Sequence, residues 1–165
     1  MKFYLMRHGP AEDRADSGLD SDRALSAAGR ERVRAVAKRL LDLEEAPTQI
    51  ITSPLARSVQ TAEIVAIASK LSARRGTVEV RRELSPGAGA EAVLLVRRTA
   101  LEGGKRVLFV GHEPDLTAVV STLVGGFHRP FDKAMVVGLQ LPAEGGQARL
   151  RFVLDPRTLT LETAP

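Results

Sequence analysis

Short β-rich segments alternate with amphipathic helical segments along most of this 165-residue chain. The alternation predicts one α/β domain over residues 1–165, a three-layer sandwich with helices on both faces of a mostly parallel sheet. The clearest strand signal is at residues 106–110, because a nearly continuous apolar run is typical of a strand buried on both faces. We predict a six-stranded sheet, with strands at residues 2–6, 48–52, 77–81, 106–110, 134–141 and 148–154.

Capping and breaking residues delimit the helical segments. Ser26 is a candidate N-cap, and Pro54 is expected at the first position of the second helix, where proline is favoured. Pro114 is expected to open the fourth helix, and Gly103-Gly104 is the stop signal of the third. We predict helices over residues 27–45, 54–71, 90–101 and 114–124.

A polar, acid-rich loop is expected between the first strand and the first helix. Residues 10–22 show no apolar period, and loops of this length in compact domains often carry function. The loop either selects a basic or neutral partner surface or is simply solvated. Its acidic residues are Glu12, Asp13, Asp16, Asp20 and Asp22.

Composition excludes several classes of chemistry. The chain has no cysteine, which removes disulfides, cysteine zinc sites and cysteine nucleophiles. The net charge is +4 and only five of the 24 basic residues are lysines, so arginine, which binds phosphate and carboxylate with its planar fork, dominates. Aromatic residues make up only 4% of the chain, so we expect no nucleic-acid partner.

Apolar segments are too short for targeting or membrane insertion. The stretch at residues 3–6 is far shorter than the core of a signal peptide. The stretch at residues 116–127 is shorter than the ~20 residues of a membrane span. We therefore expect a cytoplasmic protein with no membrane partner, and the sequence leaves the oligomeric state open.

Polar side chains follow three of the predicted strands at the point where each ends. His8 follows Arg7 after the first strand, Arg57 lies just beyond the second, and His112 follows the central one. Ligands of open α/β sheets bind beyond the carboxyl ends of the strands, so these groups form a candidate site. A positively charged Arg57 near a helix N-terminus, which already favours anions, makes best sense if an anion binds there.

Two histidines and two arginines around an anion site suggest phosphoryl transfer with histidine as the nucleophile. Neutral imidazole is the main form near pH 7 and can attack phosphorus without a metal, while arginines neutralise the phosphoryl oxygens. The chain has three histidines, no His-x-x-x-His pair and no Gly-x-x-x-x-Gly-Lys-Ser/Thr loop. We therefore expect no metal and no cofactor.

Several sequence stretches, in a fixed order, carry a family resemblance. They are FYLMRHG at 3–9, DRALS at 22–26, TSPLAR at 52–57, QTA at 60–62, ELSP at 83–86 and VGHEPDL at 110–116. With them the chain resembles the histidine phosphatase superfamily, which includes the phosphoglycerate mutases, and is most similar to its small SixA-type phosphohistidine phosphatases. One departure is Ala24, where the SixA-type pattern usually has proline.

The resemblance implies a phosphoglycerate mutase-like fold and a set of catalytic roles. His8 takes the phosphoryl group, while Arg7, Arg57 and His112 bind its oxygens. By resemblance to the mutase branch, Glu83 protonates the leaving group. Glu113 is the rival candidate, by analogy with the branch that has an acid after the second histidine, and solvent is a third.

Chain length and leaving-group chemistry bear on the substrate. No insertion is long enough to form a lid, which favours a large substrate such as a phosphorylated protein. Imidazole leaves phosphorus more readily than an alcohol, which suits phosphohistidine when the acid is weakly defined. The alternatives are a broad small-molecule phosphomonoesterase acting on small phosphate esters, and a non-catalytic phosphate-binding interaction module.

Overall fold

The computed structural model describes residues 1–102 and 106–163 of the chain, and a seven-stranded mixed sheet lies at its centre. The strand order across the sheet is β3-β2-β4-β1-β5-β6-β7. The strands are β1 (Lys2–Arg7), β2 (Gln49–Thr52), β3 (Thr77–Val80), β4 (Val107–Gly111), β5 (Val136–Gln140), β6 (Arg149–Leu154) and β7 (Leu161–Thr163).

The predicted α/β architecture is confirmed, but the prediction of six strands is wrong by one. The additional strand is β7, which has three residues and pairs antiparallel with β6 at the sheet edge. A strand this short contains too few residues for a periodic pattern. The ladders β1–β4, β2–β3 and β2–β4 are parallel, whereas β1–β5, β5–β6 and β6–β7 are antiparallel, so the sheet is more mixed than predicted.

In the described part of the chain, four α-helices cover the two faces of the sheet. The helices are α1 (Ala27–Asp42), α2 (Ala56–Ala68), α3 (Ala90–Glu102) and α4 (Asp115–Val124). Buried residues of α1 and α2 form one hydrophobic cluster with one face of the sheet, and those of α3 and α4 form a second with the other. No helix in the described ranges is both long and apolar enough to cross a bilayer.

The helix starts test the predicted capping signals. The Ser26 hydroxyl accepts a hydrogen bond from the Gly29 N–H at 3.0 Å, which confirms Ser26 as the N-cap of α1. The predicted start at Pro54 is wrong, because α2 begins at Ala56. Ser53 and Pro54 lie in the connection between β2 and this helix. Pro114 is the N-cap of α4, one residue before the helix. The Gly103-Gly104 stop signal lies outside the described residues.

The register of the parallel strands sets the position of the site. Arg7 pairs with Gly111 in the β1–β4 ladder, and Thr52 pairs with Val110 in the β2–β4 ladder. The carboxyl ends of β1, β2 and β4 therefore lie side by side. The first residue after each of these strands lies at this one edge of the sheet.

Glycine allows the chain beyond β1 to return against α1. A β-carbon at Gly29 would overlap the carbonyl oxygen of Pro10. The same carbonyl accepts the N–H of Ser26 at 3.1 Å. This close contact ties the start of the loop at residues 10–22 to the first turn of α1.

Candidate active site

The two histidines predicted for the site face each other at the edge of the sheet. His8 follows β1, His112 follows β4, and their ring centroids are 5.1 Å apart. Both side chains are buried, with 5% and 4% of the residue surface exposed. The His8 backbone N–H donates to the Gly111 carbonyl at 3.1 Å, which joins the two strand ends directly.

The ring of His8 is held with one nitrogen free to accept a hydrogen bond. Its Nδ1 lies 2.7 Å from the Gly9 carbonyl oxygen, an acceptor, so the proton belongs on Nδ1. Nε2 consequently carries the lone pair, and it accepts a hydrogen bond from Nε of Arg57 at 3.3 Å. Thr61 supports this arrangement, because its hydroxyl accepts the Gly9 N–H and donates to the Arg57 carbonyl.

Burial keeps His8 neutral. The pKa of His8 is lowered from 6.5 to about 3, mainly by the loss of hydration on burial. The hydrogen bond to Gly9 opposes this shift, and the charges of His112, Arg57 and Arg7 contribute to it. A neutral imidazole with a free Nε2 lone pair is the nucleophilic form of histidine.

His112 is anchored by two serine hydroxyls that line its Nε2. Ser53 Oγ lies 2.8 Å from this nitrogen and Ser58 Oγ lies 3.3 Å from it, and both serines are fully buried. Burial lowers the pKa of His112 from 6.5 to about 4, and the nearby charge of Arg57 contributes. Hydroxyls that donate to Nε2 favour the tautomer with the proton on Nδ1, which has no hydrogen-bond partner among the described residues.

The two arginines lie beside the histidines and are held differently. One terminal nitrogen of Arg7 donates to the Phe131 carbonyl at 2.7 Å, while its Nε is buried and has no partner within the described ranges. Arg57 occupies the first turn of α2 and is 5% exposed. Its terminal nitrogens donate to the backbone and side chain of Asp20.

The arrangement has the chemical character of an oxyanion site with a nucleophile. Two guanidinium groups and two neutral imidazoles meet where β1, β2 and β4 end, and donors such as Arg7 Nε remain available. Preorganised donors of this kind stabilise the charge of a tetrahedral oxyanion. Within residues 1–102 and 106–163, no cluster of histidine and carboxylate side chains has the makings of a metal site.

The two candidate acids lie in different settings. Glu83 is half-buried in a short 3₁₀ turn after β3, where it borders a surface cavity of about 390 Å³ along α3. No hydrogen bond or ion pair links it to the four central residues in the described part of the chain. Glu113 accepts the backbone N–H and the hydroxyl of Thr117 at 3.2 and 2.8 Å, so it serves the first turn of α4.

Comparison with known protein families identifies the chain. Residues 3–85 match the family model described as "Histidine phosphatase superfamily (branch 1)", and this stretch contains β1, β2 and the first turn of α2. The chain belongs to the histidine phosphatase superfamily. The matched residues include Arg7, His8 and Arg57, and the resemblance drawn from the sequence is confirmed.

Individual proteins are similar to this chain over nearly its whole length. An uncharacterized protein of Picosynechococcus sp. is 39% identical over 170 residues, covering all of this chain and 97% of the relative. The phosphohistidine phosphatase SixA of Escherichia coli strain K12 is 28% identical and covers 99% of both chains. The solved structure of the protein histidine phosphatase SixA complexed with tungstate superposes with a TM-score of 0.86 at 26% identity, covering 97% of this chain and all of that one.

Sequence reasoning missed some members of the site. Ser58, which contacts His112, and Asp20, which contacts Arg57, were not expected to be part of it. A serine beside an arginine in a first helical turn carries no distinctive signal. Asp20 is one of several acidic residues in its loop, and the sequence does not indicate which of them turns inward.

Proposed function

We propose that this member of the histidine phosphatase superfamily hydrolyses protein phosphohistidine without a metal, through a covalent phosphoryl intermediate on His8. The observation that carries the proposal is the state of His8 Nε2. This nitrogen is buried, bears a lone pair and lies within hydrogen-bonding distance of Arg57. The nucleophile and a cation able to receive phosphoryl oxygens are thus in contact before substrate arrives.

The first step transfers the phosphoryl group to the enzyme. His8 Nε2 attacks phosphorus, the new N–P bond forms, and the bond to the leaving imidazole breaks. The leaving nitrogen takes a proton from solvent or from Glu83. Arg57 Nε and Arg7 Nε then donate to the phosphoryl oxygens, and the Nδ1–H of His112 supplies a further donor.

The second step returns the enzyme to its starting state. Because Nδ1 of His8 keeps the proton that it donates to the Gly9 carbonyl, phospho-His8 is an imidazolium, and neutral imidazole is the leaving group when its P–N bond breaks. Water attacks phosphorus, the P–N bond breaks, and its electron pair returns to Nε2. Inorganic phosphate leaves with the oxygen of water, and the released proton passes to solvent.

Leaving-group chemistry favours phosphohistidine over a phosphate ester as the substrate. An alkoxide leaving group needs a well-placed acid, whereas imidazole, with a pKa near ~6.5, leaves with less assistance. Glu83 makes no hydrogen bond or ion pair with the central four residues in the described ranges, and Glu113 is engaged by Thr117. The similarity to SixA, named a phosphohistidine phosphatase, supports the same choice. The expected cytoplasmic location stays a prediction.

A substrate panel tests the proposal. Hydrolysis of a phosphohistidine protein, a phosphohistidine peptide, an aryl phosphate and sugar phosphates is compared by kcat/KM with chelator present. We expect the phosphohistidine protein to be preferred and His8→Asn to abolish turnover. The matched control is His128→Asn, which alters an exposed histidine outside the site.

Two results of the panel would contradict the proposal. A preference for sugar phosphates identifies a small-molecule phosphomonoesterase. Phosphate binding without turnover of any substrate identifies a non-catalytic binding module.

A further inference from the structure

The acid-rich loop at residues 10–22 reaches the candidate active site through Asp20. This residue begins a short 3₁₀ turn, Asp20–Asp22, and contacts Arg57 with two different groups. Its backbone carbonyl accepts a hydrogen bond from one terminal nitrogen at 2.8 Å, and its carboxylate accepts one from the other at 3.0 Å. The loop therefore has one acidic residue that is directed inward onto a site arginine.

The contacts divide the guanidinium of Arg57 between two of its edges. Asp20 accepts both of its hydrogen bonds from the two terminal nitrogens, which form the end edge. The side edge, formed by Nε and one hydrogen of the neighbouring terminal nitrogen, faces His8, where Nε donates to Nε2. The Nε–H is thus directed at the atom on which the phosphoryl group would be attached.

Because its carboxylate is negatively charged, Asp20 does not itself contribute to binding an anion. A carboxylate beside a phosphate site repels the phosphate. The Asp20 side chain is 67% exposed whereas that of Arg57 is 6% exposed, so the carboxylate has water available and is not forced into the contact by burial. The hydrogen bond from Arg57 lowers the pKa of Asp20 and favours its ionised form. An interaction that weakens phosphate binding is useful if it fixes the orientation of the arginine.

We propose that Asp20 is a positioning residue that holds the end edge of Arg57 so that its side edge faces the phosphoryl group on His8. The inference rests on the proposed function of the site. In this role the loop stabilises the transition state of phosphoryl transfer and does not strengthen binding of the substrate. Removing Asp20 should accordingly lower kcat while leaving the affinity for a bare oxyanion intact or stronger.

The test compares Asp20→Ala with Asp22→Ala. Asp22 lies in the same turn and carries the same charge, but among the described residues its carboxylate accepts side-chain hydrogen bonds only from the hydroxyls of Ser17 and Ser21. Steady-state turnover of an aryl phosphate gives kcat and KM, and calorimetry gives the Kd for inorganic phosphate. We expect Asp20→Ala to lower kcat about tenfold without weakening phosphate binding, and Asp22→Ala to change neither.

Two further variants separate positioning from other roles of Asp20. Asp20→Asn keeps a side-chain oxygen for the Arg57 bond but loses the charge, so we expect it to recover part of the kcat lost in Asp20→Ala. Arg23→Gln removes the ion pair of 2.9 Å between Arg23 and Asp20 and should leave kcat near wild type. Thermal unfolding checks that each variant folds.

The outcomes separate this inference from the proposed function. If the wild type turns over substrate but Asp20→Ala matches Asp22→Ala, the positioning role is wrong and the function stands. A rise in kcat/KM for Asp20→Ala means that Asp20 is inhibitory, which also overturns the inference. Parallel losses in kcat and in phosphate affinity mean a structural role. A wild type that turns over neither the aryl phosphate nor a phosphohistidine protein overturns both proposals.

Discussion

Arg57 donates its Nε–H to Nε2 of His8 at 3.3 Å. The proposed nucleophile is therefore hydrogen-bonded to the donor that is proposed to bind the phosphoryl oxygens. In the proposed reaction, an incoming phosphoryl group accepts this hydrogen bond in place of Nε2 and so frees the Nε2 lone pair. Burial and the surrounding positive charges keep His8 neutral, which makes the exchange possible at neutral pH. The two residues therefore act as one unit.

The two serines at His112 are expected to have non-additive effects on kcat/KM when they are substituted. One hydroxyl is enough to satisfy the lone pair of Nε2, and Ser53 is closer to it than Ser58. We expect Ser53→Ala to lower kcat/KM about tenfold, Ser58→Ala to lower it less, and the double variant to lose more than both single effects combined. Nitrogen NMR of His112 should show the Nδ1–H tautomer in the wild type and a mixture in the double variant.

A control for the serine pair lies in the same helix region. Ser69 follows α2, is also fully buried and hydrogen-bonds the Val65 carbonyl far from the histidines. Ser69→Ala should lower stability without changing kcat. A double variant of Ser53 and Ser58 that retains wild-type turnover and tautomer would show that the hydroxyls do not orient His112.

The candidate acids can be distinguished by their dependence on the leaving group. If Glu83 is the acid, Glu83→Gln should lower kcat/KM for an alkyl phosphate by more than about tenfold, and for phosphohistidine much less. Glu113→Gln should lower the free energy of unfolding by up to about 1 kcal/mol, because it weakens the contact with Thr117, and should leave turnover unchanged. Equal effects of Glu83→Gln on both substrates would exclude it as the acid.

The buried histidines predict a pH dependence of stability. In the unfolded chain they bind protons as the pH falls below about 6.5, while in the folded chain His8 and His112 have pKa values of about 3 and 4. The unfolded state therefore binds more protons in this window, and stability falls as the pH is lowered. We expect the free energy of unfolding to drop by up to about 1.4 kcal/mol per pH unit for each histidine between pH 6 and 4.5.

Urea unfolding from pH 7 to 4.5 measures this slope. His8→Asn and His112→Asn should each remove about half of it, whereas His128→Asn, at an exposed position, serves as the control. A wild-type slope near zero in this window would mean that the two histidines take up protons in the folded protein as they do in the unfolded chain.

The position of the central four residues followed from the sequence because strand ends are easy to read. Apolar runs end in Arg7, Thr52 and Gly111, and the carboxyl ends of parallel strands meet at one edge. The helix cap at Ser26 was predictable for a similar reason, since a capping hydroxyl is a local signal. Local patterns thus account for the scaffold of the site and for its charged groups.

Features that depend on long-range packing could not be predicted in this way. The inward turn of Asp20 depends on where the loop lies relative to Arg57, which is 37 residues away in sequence. The start of α2 at Ala56 rather than Pro54 accompanies a tertiary contact, because the hydroxyl of Ser53, just before Pro54, lies against His112. The edge strand β7 depends on pairing with β6 rather than on its own composition.

In the proposed mechanism, His8 Nε2 carries the phosphoryl group during turnover. The most direct test mixes enzyme with a ³²P-labelled phosphohistidine protein, quenches in alkali within milliseconds and maps the labelled peptide by mass spectrometry. We predict an acid-labile, alkali-stable phosphate on His8 in the wild type and none in a folded His8→Ala variant. Label that persists in His8→Ala, or rapid turnover with no labelled enzyme at any time, would contradict the account.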